Sequence, residues 1–178
     1  MHLSPVMTRF ILHWGEMGSR WGVNRTVAQI HALLYLAPGP LPAEEIAETL
    51  NVARSNVSTS LKDLQTWGLV SIAHVMNDRR DHFATRSDPW DMLVTIMEQR
   101  KRREIEPTLN FLRDCAPELA SDRETPKEAK ARIENMLGFL TNVTTWFVQM
   151  LALPRSTVMT LMKLGAKVAT FVPKAKES

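Results

Sequence analysis

One cysteine, Cys115, stands among 178 residues, so no intrachain disulfide can form. A lone thiol fits a reducing compartment and points to the cytoplasm. The seven glycines form no phosphate-cradling loop. There is no nucleophile elbow and no helical His-Glu-x-x-His pair, so no catalytic residues and no enzyme are expected. His2, His13, His31, His74 and His82 show no metal-ligand spacing with one another or with Cys115, which argues against a metal or other cofactor. Long apolar runs are missing too: none reaches the roughly 18 uncharged residues of a membrane-spanning helix. The stretch Leu3 to Leu12 is apolar, but it contains Arg9 and leads into His13 and Glu16 without a small-residue cleavage pattern, so it does not read as a signal peptide.

What is present is ordinary globular material. A hydrophobic share of 44% can bury one sizeable core, or a small domain plus an extended oligomerisation element. The net charge of +3 permits a polyanionic partner without demanding one.

Ser4-Pro5 predicts a helix start, with Val6, Phe10, Trp14 and Met17 at helical spacing and an end near Gly18 or Gly22. A second helix is expected from about Asn24, with Val27, Ile30, Leu34 and Ala37 on one stripe and a stop at Pro38-Gly39-Pro40. Pro42 opens a short third helix, with Glu44 and Glu45 in its first turn and Ile46, Ala47 and Leu50 facing inward. A fourth runs from about Arg54 to Trp67, burying Val57, Leu61 and Leu64 and stopping at Gly68. Two short helices joined by a tight turn make a helix-turn-helix. The β-branched stretch Leu69 to Val75 and the shorter His82 to Arg86 then predict a hairpin whose tip, Met76 to Asp81, is charged.

Beyond the hairpin, Pro89 opens a long helix that Pro107 should kink by removing one ladder donor. Ala116 to Thr125 reads as a linker. Pro126 begins another long helix with two adjacent apolar stripes, one carrying Ile133, Leu137, Leu140, Thr144, Phe147 and Leu151, the other Phe139, Val143, Trp146 and Met150. A last helix is expected from about Ser156 to Thr170, followed by a frayed tail over 174–178. The expected architecture is a mainly α, α+β winged helix. It divides into a winged-helix DNA-binding domain at 24–88 and a helical dimerisation and effector region at 1–23 and 89–178.

Each part of that order has a physical use: the fourth helix suits a major groove and the hairpin the adjoining minor groove. With Val57, Leu61 and Leu64 turned inward, Arg54, Ser55, Asn56, Ser58, Thr59 and Lys62 are left outside as hydrogen-bonding and cationic groups for base edges and phosphates. Such a face could be merely solvated. However, Ser, Asn and Thr are mediocre helix formers, and a solvated face would more often use Glu, Lys or Ala.

The stretch Leu41 to Val70, with Arg54-Ser-Asn-Val-Ser58, Leu61-Lys-Asp-Leu64 and Trp67-Gly-Leu-Val70, followed by Asn77-Asp-Arg-Arg-Asp-His-Phe83, resembles the GbsR-like branch of the MarR family of regulators. The resemblance covers the central third of the chain. It implies that Arg54, Ser55, Asn56, Ser58, Thr59 and Lys62 form the recognition surface, and that Asp78, Arg79 and Arg80 build the wing tip. It also implies a homodimer on palindromic double-stranded DNA, with repression the commoner outcome. One position departs: Ala53 stands where such sequences usually place a helix-capping serine, so either Ser55 caps a shortened helix or the start is looser. A winged-helix module that binds protein and not DNA is the alternative.

Arg100-Lys-Arg-Arg103 could extend a phosphate-binding surface, but four consecutive residues spread around a helix and read better as a solvated face. Cys115 has no designed cation beside it and reads as inert. Trp14, Trp21, Trp90, Phe139, Trp146 and Phe147 lie outside the reading head, and most are expected in the core. The resembled family includes a choline-responsive member, and aromatic faces hold quaternary ammonium groups. A small organic effector, a cationic one among the candidates, is therefore expected near Trp146 and one of Trp14, Trp21 or Trp90.

Overall fold

A computed structural model of the chain describes residues 1–165 and 167, which form two compact units. Met1 to Gln99 make the first, and the described residues from Arg100 onward make the second.

The first unit opens with α1, Pro5–Arg20, started as the sequence predicts: the Ser4 hydroxyl accepts from the Met7 N–H at 3.3 Å, and Pro5 takes the first helical position. Gly22, at φ +76°, turns the chain. Asn24 then caps α2, Arg25–Leu36, accepting from the Thr26 N–H at 2.8 Å. The two helices pack closely because Gly18 lacks a side chain: a Cβ there would stand 2.5 Å from that of Ala28.

α3, Ala43–Leu50, ends at Asn51 in the left-handed region (φ 51°), and the chain turns directly into α4, Arg54–Thr66. Ala53 occupies the cap position of α4 with no side-chain hydrogen bond. Helix begins at Arg54 all the same, so Ser55 is inside the helix and does not cap it.

The hairpin strands are β2, Val70–Ala73, and β3, His82–Thr85. A two-residue strand that the pattern does not disclose, β1 (Leu41–Pro42), adds to the other edge of β3, giving the antiparallel order β1-β3-β2 with Leu41 opposite Phe83 and Ile72 opposite Phe83 on its far side. The core gathers around Ile30, Leu33, Ile46, Val57, Leu61 and Leu64, all essentially out of solvent. α5, Pro89–Arg100, follows, with Met92 and Ile96 packed on that core.

In the second unit Lys101–Ile105 form a widened π turn in which the Glu106 N–H donates to the Lys101 carbonyl, five residues back. α6, Glu106–Ser121, begins there with Pro107 in its first turn. The expected kink is thus a local widening, which absorbs the proline ring where an N–H is missing. α6 also continues through Pro117 to Ser121, so the linker predicted from Ala116 begins only at Asp122. Lys130 closes the junction, donating from Nζ to the Leu119 carbonyl at 2.6 Å and to the Asp122 carbonyl.

α7, Lys127–Ala152, and α8, Arg155–Leu164, follow at 120° to one another. Among the described residues no single helix is long and apolar enough to cross a membrane. The expected extension of α8 to Thr170 and the 174–178 tail lie outside the described residues.

Candidate nucleic-acid interface

α4 presents two faces. Val57, Ser60, Leu61 and Leu64 are buried, and Arg54, Ser55, Asn56, Ser58, Thr59 and Lys62 are all exposed. The structure therefore brings the six predicted residues together on one outward surface. They are not equivalent, because Arg54 donates through Nη2 to Glu44 of α3, which holds its guanidinium and offsets its charge. Among the described residues Lys62 has no ionic partner. Glu44 is the contributor that pattern reading missed. Its acidity was visible as a helix-start signal, but not its reach across ten residues.

The wing tip is built around a left-handed Asn77 (φ 64°) and the carboxylate of Asp78. Asp78 accepts from the Arg80 backbone N–H at 3.0 Å and from the Arg80 guanidinium, Nε at 3.0 Å and Nη2 at 2.5 Å. Hydrogen bonding by Arg80 holds the Asp78 carboxyl far below the usual carboxylate range, and Asp78 in turn strengthens the protonation of Arg80. Buried His82 completes the turn: its Nδ1–H donates to the Arg80 carbonyl at 2.9 Å, which leaves Nε2 3.5 Å from Asp78. The three predicted wing residues thus have different tasks. Asp78 and Arg80 clamp the loop, while exposed Arg79 has no ionic partner among the described residues and is the wing's uncommitted cation.

The predicted effector aromatics are placed as follows. Trp14 lines a cavity of about 210 Å³ in the first unit with Phe10, His31, Tyr35, Pro89 and Met92. Its ring stacks on Phe10 at 5.6 Å, and Phe10 on Tyr35 at 6.3 Å. Trp21, two turns further along and 50% exposed, is not part of that cavity, nor is Trp90, which neighbours its Pro89 wall. Trp146 belongs to the second unit and is 61% exposed on α7 beside exposed Phe139 and Val143, so Phe139 and Trp146 stand outside the core expected for most of these aromatics. Cys115 is half-buried against a second cavity, of about 310 Å³, lined by Phe111, Leu119 and Ile133 among others. Among the described residues no three His, Cys, Asp or Glu side chains come together as a metal would require.

Comparison with known proteins meets this geometry. The curated proteins contain no match. Among solved structures, one described as a transcriptional regulator superposes with a TM-score of 0.62 at 21% identity, covering 82% of this chain and 95% of its own. The transcriptional regulator Tm0710 of Thermotoga maritima aligns at 20% identity over 81% of this chain and 92% of its own, with a TM-score of 0.39. A MepR mutant of S. aureus bound to an oligodeoxyribonucleotide aligns at 16% identity over 83% and 99%, with a TM-score of 0.38. The family model of the MarR family matches residues 21–81, the segment that holds α2, the helix-turn-helix, β2 and the wing tip. Residues 21–81 are accordingly similar to the MarR family, and the chain as a whole shares the fold of the first of these solved structures.

Proposed function

We propose that this protein is a DNA-binding transcriptional regulator, a repressor of the GbsR-like kind, that grips a palindromic operator as a homodimer. The observation that carries the reading is the outward face of α4. Six side chains able to hydrogen-bond or neutralise phosphate stand on one surface of a helix whose other face is fully buried, and Arg79, without an ionic partner among the described residues, stands at the tip of the wing. α4 would enter the major groove, with Arg54 held by Glu44 so that Ser55, Asn56, Ser58 and Thr59 meet base edges. Lys62 and Arg79 would neutralise phosphates, Arg79 from the minor-groove side.

Dimerisation is supported by the second unit. On α7 the residues Met136, Phe139, Val143, Trp146 and Met150 recur at three- and four-residue steps, the spacing of a helix seam, and the first four are exposed. So large an apolar stripe on one chain suits burial against a second copy. The aromatic cavity beside Trp14 supports control by a small molecule.

The experiment is binding of the purified protein to random duplex DNA as a function of salt. A steep fall of log affinity with log salt supports the reading, because phosphate neutralisation releases counterions. A flat response contradicts it and favours a protein-binding module.

A further inference from the structure

His31 of α2 is buried and is one wall of the Trp14 cavity, yet it also reaches out of the cavity to the sheet. Its Nε2 lies 3.1 Å from Thr85 Oγ1 on β3, and that same oxygen is 2.7 Å from the carbonyl of Leu69. A hydroxyl carries one proton and the Leu69 carbonyl can only accept, so Thr85 donates to Leu69 and must accept from His31 Nε2–H. This fixes the tautomer and leaves Nδ1 as the ring's only acceptor. Burial lowers the pKa of His31 to about 4, so the ring is neutral in neutral solution.

The far end of this chain of bonds lies where α4 closes and the wing strands begin. Leu69 directly follows the close of α4, where the Gly68 N–H donates to Gln65 and the Leu69 N–H to Leu64, both at 2.9 Å. Thr85 pairs with Val70 at the base of the wing. The Thr85 hydroxyl therefore ties α2, the end of the recognition helix and the wing strand at one point, and His31 stands between that point and the cavity.

We propose that His31 is a positioning residue that transmits occupancy of the Trp14 cavity to the wing, through the sequence His31, Thr85, Leu69. The proposal rests on reading the chain as a regulator under small-molecule control, and it names the route of that control. The cavity takes a neutral, planar, largely apolar molecule. Among the described residues no carboxylate lines it to attract a cation, and the Phe10 ring stacks on both Trp14 and Tyr35, 14° and 20° from parallel, not crossed as a cage for a quaternary ammonium would need. Its volume suffices, since apolar cavities of roughly 150 Å³ bind benzene. A molecule that displaces His31 or hydrogen-bonds to Nδ1 must move the Thr85 bond, because a packed interior does not deform without shifting its neighbours.

The test is titration of the full chain with indole, followed by amide ¹H–¹⁵N spectra. The expected result is shifts at Ala32 and Tyr35, which report the cavity, together with shifts at Leu69, Thr85 and the wing residues Asn77 to Arg80. Thr85→Val deletes the hydroxyl at nearly constant shape and should keep the cavity shifts while reducing the wing shifts by roughly threefold or more. Thr85→Ser, which keeps the hydroxyl, should restore them and controls for folding. Wing shifts that persist in Thr85→Val, or cavity shifts without wing shifts in the unaltered protein, overturn the route. Absence of cavity shifts overturns the ligand class and the route together. Neither outcome touches the salt dependence of DNA binding, which tests the regulator reading separately.

Discussion

The two units solve the problem of apolar surface in opposite ways. In the first, the helices of the winged-helix segment turn their apolar faces into a common core, where Ile30, Leu33, Ile46, Val57, Leu61 and Leu64 lose essentially all contact with water. In the second, α7 runs 26 residues without one buried residue and leaves Phe139 63% and Trp146 61% exposed. A folded core is complete in one chain; the α7 stripe is not. In the function proposed above, the difference separates the part that recognises DNA from the part that assembles.

The largest expected effect tests the first side of that contrast. Leu64→Ala should cost about 2–5 kcal/mol in urea denaturation, because the packed head cannot collapse around the void. Phe139→Ser with Trp146→Ser should cost the single chain little and instead move sedimentation from about twice 20.2 kDa toward that value. If the α7 changes unfold the chain, or leave assembly unaltered, the contrast is wrong.

Acid gives the next effect. Burial holds the folded His31 pKa at about 4, below its ordinary 6.5, so the unfolded chain binds that proton first as pH falls. The contribution is whole above pH 6.5 and is lost on going down to 4, by about 3 kcal/mol in total. His31→Gln, which keeps a donor for Thr85, should remove that dependence in denaturation curves measured across the window. An unchanged slope would mean that His31 is not the group responsible.

At the wing the two arginines should separate. Arg79→Ala should weaken binding to all duplexes by roughly 10-fold and lower the salt slope by about 1. Arg80→Ala should change the slope less, because Asp78 already neutralises Arg80, while loosening the loop. Equal slopes for the two variants would refute the clamp. The smallest effect is at the bare cap: Ala53→Ser should add about 1 kcal/mol and raise the melting temperature.

What was legible in the sequence was local. The caps at Ser4 and Asn24, the buried triad Val57, Leu61 and Leu64, and the exposed set on α4 follow from spacing within one helix, and each stands where spacing puts it. Less legible were features made by distant segments. β1 is two residues that become a strand only by pairing with Phe83 and His82, and the Glu44–Arg54 pair spans two helices. The cavity draws on α1, α2 and the start of α5, with only the i,i+4 pair Phe10 and Trp14 hinting at it. Pro117 misled in the other direction: proline removes one donor, but α6 carries on around it to Ser121.

The most direct measurement is selection of bound genomic fragments by the purified protein, followed by footprinting of the best one. The account predicts two protected half-sites related by a two-fold axis and about 34–36 Å apart on one face of the duplex, with protection extending into the flanking minor grooves. Failure to enrich any fragment, or a single unpaired half-site protected without minor-groove contact, would contradict it.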